Sequence, residues 1–166
     1  MLTEPSPRFL TLVTLGVIAC GGEKQPAPPA AEASPPAQAA APASGGEEAY
    51  QICATCHQAT GLGIPNAFPP LAGSDFVNGP GAPHIAIVLK GLTGPLTVRG
   101  QNFNGVMAPW ESLSDDQIAA AINYERGSWG NTGAPVTAAD VARIRQAIAT
   151  RTTPWTAADL EKAGLR

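Results

Sequence analysis

The 166-residue sequence predicts an all-α fold: a small helical domain with long loops. Capped helical patterns recur from residue 47 onward, and no run of alternating apolar and polar residues indicates an extended sheet. Gly- and Pro-rich segments, 61–81 and 91–109, separate the helical patterns. Long loops in a compact domain are usually functional or wrapped around something. We therefore expect these two loops to surround a bound group.

The first predicted helices flank the first of these loops. Residues 47–56 form a short helical pattern, and the apolar pattern 82–92 stops at Gly91. Glycine commonly ends a helix because it adopts the left-handed conformation without strain. The segment 94–105 is also compatible with a small hairpin.

The later helices share a capping device. Ser114 with Gln117 three residues on, and Thr137 with Asp140, are capping-box patterns that predict helices ending near Gly127 and Thr150. A shorter pattern of the same kind starts at Thr156. Acidic residues in the first turns also favour helix starts at these positions.

A separate question is where the C-terminal helix packs. Val141, Ile144 and Ile148 line one side of it and require an apolar partner surface. We predict that the helix folds back on the preceding domain, with Trp155 pinning the final turn. The alternative is that this apolar stripe docks onto another subunit.

The N-terminal segment resembles an export signal. Residues 9–19 are an eleven-residue apolar run, too short to span a bilayer but typical of a signal peptide. The run ends in "VIAC", which resembles the lipobox of bacterial lipoproteins, so we predict lipidation at Cys20 after removal of residues 1–19. The alternative is an ordinary signal peptide with an incidental cysteine. Lipidation would anchor the protein stably to a membrane on its extracytoplasmic, periplasmic side.

Residues 20–46 predict a disordered linker behind this anchor. From residue 21 the segment contains no Leu, Ile, Val or aromatic residue, so it cannot bury enough apolar area to offset its ordering entropy. In polyproline II conformation, at about 3.1 Å per residue, it would reach on the order of 80 Å. The net charge of −3 gives no indication of a nucleic-acid surface.

The stretch "CATCH", residues 53–57, carries the chemistry. A CxxCH pattern is typical of c-type haem attachment. On a helix, Cys53 and Cys56 face the same side, so each thiol can add to one haem vinyl group. His57 can then offer a nitrogen to the iron. A redox dithiol or a partial zinc site is the alternative for the two cysteines.

Few residues can fill the sixth iron position. Besides Met1, the chain has one methionine, Met107, and besides His57 one histidine, His84. Met107 lies in a loop beside a proline, from which a thioether can reach the iron. His84 lies in an apolar helical pattern, where a solvated or core-edge histidine is commoner. We predict Met107 as the ligand over His84; a core-filling methionine is the alternative.

Three motifs in order, "YQICATCHQATGLGIPNAFPPLAGSD", "VLKGLTGPLTVRGQNFNGVMAPW" and "LSDDQIAAAINYERGSWGN", resemble mono-haem class I c-type cytochromes. The resemblance covers residues 47–131 and leaves 132–166 as a C-terminal helical extension. It implies the small class I cytochrome c fold around one haem c, in which the helix holding Tyr50 packs on the helix holding Tyr124. It also implies that the carbonyl of Pro69 accepts a hydrogen bond from His57 and that Leu71 touches the haem.

Three further residues are given roles, two of them at the haem site and one at the C-terminal extension. Arg99 could hydrogen-bond a haem propionate, although a solvated arginine fits the loop equally well. Trp110, three residues after Met107, is expected to wall the haem crevice or to serve as a core aromatic. Trp129 is expected to pack against the C-terminal extension.

The predicted function is electron transfer without catalysis or a small-molecule substrate. Ligation by His and Met leaves no open iron position, and methionine raises the reduction potential. The expected partners are redox proteins: a quinol-oxidising complex or dehydrogenase as donor, and a terminal acceptor. A fixed subunit of a larger respiratory or photosynthetic complex is the alternative use. A haem sensor or peroxidase would need a displaceable sixth ligand.

Overall fold

A computed structural model describes residues 45–164; Cys20, the signal segment and all but the end of the linker lie outside the described residues. The described part contains six helices and one two-stranded sheet. In chain order they are α1 (Gly46–His57), α2 (Asp75–Asn78), α3 (Gly81–Lys90), β1 (Leu92–Val98), β2 (Gln101–Met107), α4 (Asp115–Gly127), α5 (Ala138–Ala147) and α6 (Ala157–Lys162). The helical fold class is confirmed, with a small sheet added.

The capping patterns correctly predicted where the later helices begin. Ser114, Thr137 and Thr156 each accept a hydrogen bond from the backbone N–H three residues on, and each helix has a complete capping box. Both groups of a capping box come from one tetrapeptide, so this structure depends on local sequence alone.

The hairpin is longer than the segment 94–105 suggested. β1 and β2 pair antiparallel from Leu92 opposite Met107 to Val98 opposite Gln101. Arg99 and Gly100 form the two-residue turn, with φ of 50° and 75°, and both positive values match a type I′ turn. The preceding helix, α3, ends at Lys90, two residues before the end of the predicted pattern 82–92, because Leu92 is the first residue of β1. The ladder thus fixes Met107 beside the end of α3.

The C-terminal segment folds back on the domain, as predicted. Val141 and Leu160 are fully buried in the same core as residues of α3 and α4. The Trp155 N–H donates to the Gly91 carbonyl at 3.0 Å, and the Thr93 N–H donates to the Trp155 carbonyl at 2.8 Å. This segment therefore lies against β1 and shares its hydrogen bonding.

The expectation for Trp129 was wrong. Its ring contacts Tyr50 and Tyr124 at centroid distances of 5.1 and 5.7 Å, and its indole N–H donates to the Ala59 carbonyl. Trp129 has a φ of 52°, in the left-handed region, just after the end of α4. Its ring packs against Tyr50 of α1 and Tyr124 of α4.

Within residues 45–164, no helix combines the length and apolar character needed to cross a membrane.

Arg145 of α5 ties the extension to the segment that follows β2. Its guanidinium donates to the Asp115 carboxylate at 2.8 Å and to the carbonyls of Glu111 and Leu113 at 2.7 and 2.8 Å. We expect Arg145→Ala to lower the free energy of unfolding by about 1–2 kcal/mol, the range for charged hydrogen bonds reduced for partial exposure. Denaturant unfolding of the holoprotein measures it.

Arg143→Ala is the matched control for this prediction. Arg143 lies on the same helix but, among the described residues, forms a salt bridge only with Asp140, and its side chain is 66% exposed. Its loss should change stability by no more than about 0.5 kcal/mol. Equal effects of the two substitutions would contradict a specific role for Arg145.

Candidate cofactor site

A largely apolar cavity of about 250 Å³ lies between α1, the loop before α2, α3 and the hairpin. The side chains that form its walls come from α1, α2, α3, α4, both strands of the hairpin and the loops that connect them. Apolar wall residues include Ile52, Phe68, Leu71, Phe76, Val77, Ile87, Val88, Leu92, Leu96, Val98 and Phe103. Such a site suits a large apolar ligand held by a few polar groups.

The last two turns of α1 supply the first donors. Cys53, Cys56 and His57 all line the cavity; both cysteines are free thiols, partly exposed, and His57 is buried. The three-residue spacing places the two sulfurs on one helix face. This is the arrangement the CxxCH pattern predicted.

The orientation of His57 is set by Pro69. His57 Nδ1 lies 3.0 Å from the Pro69 carbonyl oxygen. A carbonyl can only accept, so Nδ1 carries the proton and Nε2 keeps a lone pair available for a metal. Gly63, with φ of 64°, lets the loop approach closely, because a Cβ there would collide with the Phe68 carbonyl.

Met107 enters the same cavity from the hairpin. It is partly buried and pairs with Leu92 at the end of the ladder. Three residues later, the Trp110 N–H donates to the Val88 carbonyl at 2.9 Å, which fastens this segment to α3. The backbone around Met107 is therefore fixed on both sides: by the ladder before it and by the Trp110–Val88 hydrogen bond after it.

The structure thus brings together seven of the eight residues predicted to contact the cofactor. Those that line the cavity are Cys53, Cys56, His57, Pro69, Leu71, Met107 and Trp110. Arg99 is not among the lining residues. It occupies the hairpin turn, and its guanidinium donates to the Ala72 carbonyl at 3.3 Å. Its contact with a propionate stays a prediction.

Sequence reasoning missed a buried pair on the cavity wall. His84 Nε2 lies 2.7 Å from Glu125 Oε2, and the two side chains are only 6% and 4% exposed. Both residues line the cavity. The sequence pattern favoured a solvated or core-edge position for His84. This expectation was wrong, because His84 is buried on the cavity wall. The available signal was Glu125 itself, which continues the apolar stripe of Ile118 and Ile122 at helical spacing.

Glu125 also affects neighbouring groups on α1. Burial raises the pKa of the Cys53 thiol to about 12, and the negative charge of Glu125 adds to the shift. The pKa of Tyr50 is raised for the same two reasons. The Cys53 thiol therefore stays protonated at neutral pH until it is consumed, and the carboxylate of Glu125 lies within electrostatic reach of it.

The donor set fits a covalently held haem. Two thiols on one helix face, an imidazole with its second nitrogen already hydrogen-bonded, and a thioether all line one apolar cavity. Haem c uses thiols for attachment, with His and Met as common iron ligands. In residues 45–164, no cluster of three or more His, Cys, Asp or Glu side chains is arranged to hold a metal ion.

Comparison with known proteins agrees with this site. The cytochrome c family model matches residues 43–129. Cytochrome c-552 of Thermus thermophilus is 38% identical over 131 residues, covering 73% of this chain and 98% of that protein. The cytochrome c subunit of a quinone alcohol dehydrogenase from Gluconacetobacter polyoxogenes is 36% identical over 104 residues, 61% of this chain and 22% of that subunit. The corresponding gluconate 2-dehydrogenase subunit of Pantoea cypripedii is 37% identical over 99 residues, covering 57% of this chain and 22% of that subunit.

The chain therefore belongs to the cytochrome c family. It is a mono-haem class I c-type cytochrome with one covalently bound haem c, and its activity is electron transfer. The family resemblance, the fold class and the cofactor predicted from the sequence are confirmed. The dithiol and zinc alternatives for the two cysteines are set aside.

Proposed function

We propose that this cytochrome carries single electrons on a haem c that His57 and Met107 would ligate and that Cys53 and Cys56 would hold through thioether bonds. The observation that carries the proposal is the placement of both axial donors on the wall of one cavity. When bound, haem c supplies reversible one-electron exchange at its iron. The donor is a quinol-oxidising complex or dehydrogenase, and the electron leaves to a terminal acceptor.

The chain's own residues adapt the site to this task. The Pro69 carbonyl holds the proton on His57 Nδ1 and thereby fixes the imidazole's orientation. The hairpin and the Trp110–Val88 hydrogen bond hold Met107 in place. Because the protein holds both of these side chains in place, little rearrangement would accompany a change of redox state.

Spectra of the purified holoprotein test the ligand assignment. We expect the weak far-red absorption band that a methionine sulfur gives ferric haem c, and slow carbon monoxide binding to the ferrous form. Rapid carbon monoxide binding at neutral pH, without the far-red band, would instead support a sensor or peroxidase with a displaceable ligand.

The apolar mouth of the cavity supports a docking site for redox partners. Ile52 and Val106 line the cavity and are 40% and 71% exposed. Residues 47–130 carry seven acidic and three basic side chains. With few basic side chains available, docking should rely on apolar contact more than on a positive face.

Val106→Glu is expected to slow electron transfer to the physiological partner about tenfold. Desolvating a carboxylate without a partner at an interface is unfavourable, and a tenfold slowing corresponds to about 1.4 kcal/mol. Leu62→Glu is the control, because Leu62 is 59% exposed and apolar but does not line the cavity. Stopped-flow kinetics with the partner complex measure both variants, and equal slowing would place the docking site elsewhere.

We also propose a lipid anchor at Cys20 on the periplasmic side of a membrane. Its support is the apolar run ending in "VIAC" and the Pro/Ala-rich segment after it. Cys20→Ser should move the holoprotein from the membrane fraction to the soluble fraction with its haem spectrum unchanged. Retention of the variant in membranes would contradict lipidation at this residue.

A second use, as a fixed subunit of a larger complex, is favoured by the dehydrogenase subunits among the relatives. Isolation from native membranes under mild detergent distinguishes the two uses. A carrier should be recovered free of stoichiometric partners, and a subunit should be recovered with them.

A further inference from the structure

The His84–Glu125 pair is a buried ionisable group on the wall of the haem cavity. It joins α3 to α4 through a 2.7 Å contact between His84 Nε2 and Glu125 Oε2. Within the described residues, His84 Nδ1 has no hydrogen-bond partner, and Glu125 Oε2 has none beyond this contact. Both residues also line the cavity, so the pair lies next to whatever occupies it.

Stability does not explain why such a pair lies here. Its neighbours on the same helices are fully buried apolar residues: Ile85, Ala86, Leu89, Ile118 and Ile122. Replacing a buried ion pair with apolar side chains of similar volume is often neutral or stabilising. Two apolar residues would continue both helix stripes, so the pair points to a role connected with the cavity.

Few other charges reach the pair. From α1, Tyr50 and Cys53 face Glu125, and Cys53 loses its thiol proton to the thioether bond once haem is attached. From α4, the buried Arg126 faces Glu125; its Nε and Nη2 donate to the carbonyls of Ala134 and Gly79, and its Nη1 has no partner within the described residues, so its fixed positive charge acts on the carboxylate.

The other elements packed on α3 and α4 contribute surface charges. Asp75 of α2 is exposed, and Arg145 of α5 is occupied by Asp115. Asp140 and Arg143 pair with each other on the outer side of α5. The charge of the haem is therefore the main variable charge beside His84 and Glu125.

We propose that the His84–Glu125 pair is a proton-binding site coupled to the redox state of the haem. When the bound haem takes one electron from the donor protein, one proton from solvent would bind the carboxylate of Glu125 and give a carboxylic acid beside His84; reoxidation would release both. Added negative charge at the iron strengthens proton binding nearby, and the effect is large in a low-dielectric interior. The proposal rests on the haem occupying the cavity, and not on Met107 being the sixth ligand.

The consequence is a reduction potential that depends on pH. Because reduction takes up a proton, the potential falls as the pH rises through the range where the pair exchanges its proton. For full one-to-one coupling the slope reaches about 59 mV per tenfold change in proton concentration, the one-electron conversion. Proton uptake then approaches one proton per haem reduced.

Three holoprotein variants test the coupling. Glu125→Gln keeps the size of the side chain and removes its ionisation. The double variant His84→Leu with Glu125→Leu replaces the pair with apolar packing, and it decides the question if the single variant does not fold. Glu111→Gln is the control, since Glu111 also pairs with a base, Lys90, but is 55% exposed.

The readouts are the potential as a function of pH and proton uptake on reduction, followed with an indicator dye. We expect wild type and Glu111→Gln to show the slope and the uptake, and the pair variants to lose at least half of both. A carboxylic acid carbonyl band in the reduced-minus-oxidised infrared spectrum should also disappear in Glu125→Gln.

Unchanged slope and uptake in both pair variants would overturn the proposal and assign the protons to the haem carboxylates. The absence of any pH dependence in wild type would overturn it as well. Failure of the Met107 assignment would show separately, as a missing far-red band in wild type with the pH dependence intact.

Discussion

Met107→Leu should abolish the far-red absorption band, lower the reduction potential and make carbon monoxide binding fast, while the holoprotein stays folded. Leucine has nearly the volume of methionine, so the cavity wall keeps its packing at a cost below about 1.5 kcal/mol. The thioether sulfur, which raises the potential of haem c, is lost. Spectroelectrochemistry and flash photolysis of the carbon monoxide complex measure these changes.

Ile87→Val is the matched control for this substitution. Ile87 also lines the cavity but offers no donor atom. Removing one methylene costs about 0.5–1.5 kcal/mol in a packed wall and should leave the far-red band in place. If Met107→Leu keeps the band and the potential, the sixth ligand is another group, and His84 on the same wall is the first to examine.

The local parts of this protein could be predicted from its sequence. Cys53, Cys56 and His57 lie within one turn and a half of α1, so their spacing alone places them together. The capping boxes of α4, α5 and α6 are also contained in four-residue patterns. In each case the interacting groups are close along the chain.

Features that depend on distant partners could not be predicted in the same way. The ladder from Leu92 to Met107 contains Gly and Pro and shows no clear alternation, so its full length emerges only from pairing. Trp129 was misplaced because its partners, Tyr50 and Ala59, lie 70 or more residues before it in the chain. The residues near Glu125 in the sequence do not indicate a partner for its carboxylate. The packing of α3 against α4 brings His84 Nε2 to 2.7 Å from it.

Deleting the C-terminal extension should have a large effect on the stability of the domain. The structure places five residues from beyond 131 in the shared core. They are Val136, Val141, Ile144, Trp155 and Leu160.

A chain that ends after Asn131 should therefore fail to form a stable holoprotein. Burial of one large apolar side chain contributes about 1.5–3 kcal/mol as an upper estimate, so five amount to roughly 10 kcal/mol. That is comparable to the whole free energy of unfolding of a typical domain, about 5–15 kcal/mol. The deletion also removes Arg145 and the backbone pairing of Trp155 with β1.

A graded series tests this expectation. Leu160→Ala removes one fully buried side chain and should cost about 2–5 kcal/mol. A chain that ends after Arg151, without Trp155 and α6, should be less stable still, and the chain ending after Asn131 the least stable. Haem content after expression, melting temperature and denaturant midpoint are measured for each, with Arg143→Ala as the exposed control.

The same series separates a core element from a docking element. If the chain ending after Asn131 keeps its haem spectrum and melting temperature but no longer co-purifies with a membrane complex, the extension is a docking element and our interpretation is wrong. A stepwise loss of stability in the isolated protein, without any partner present, would show that the extension stabilises the domain itself. Because Val141 and Leu160 are already covered by α3, α4 and β1 in the single chain, we expect the second outcome.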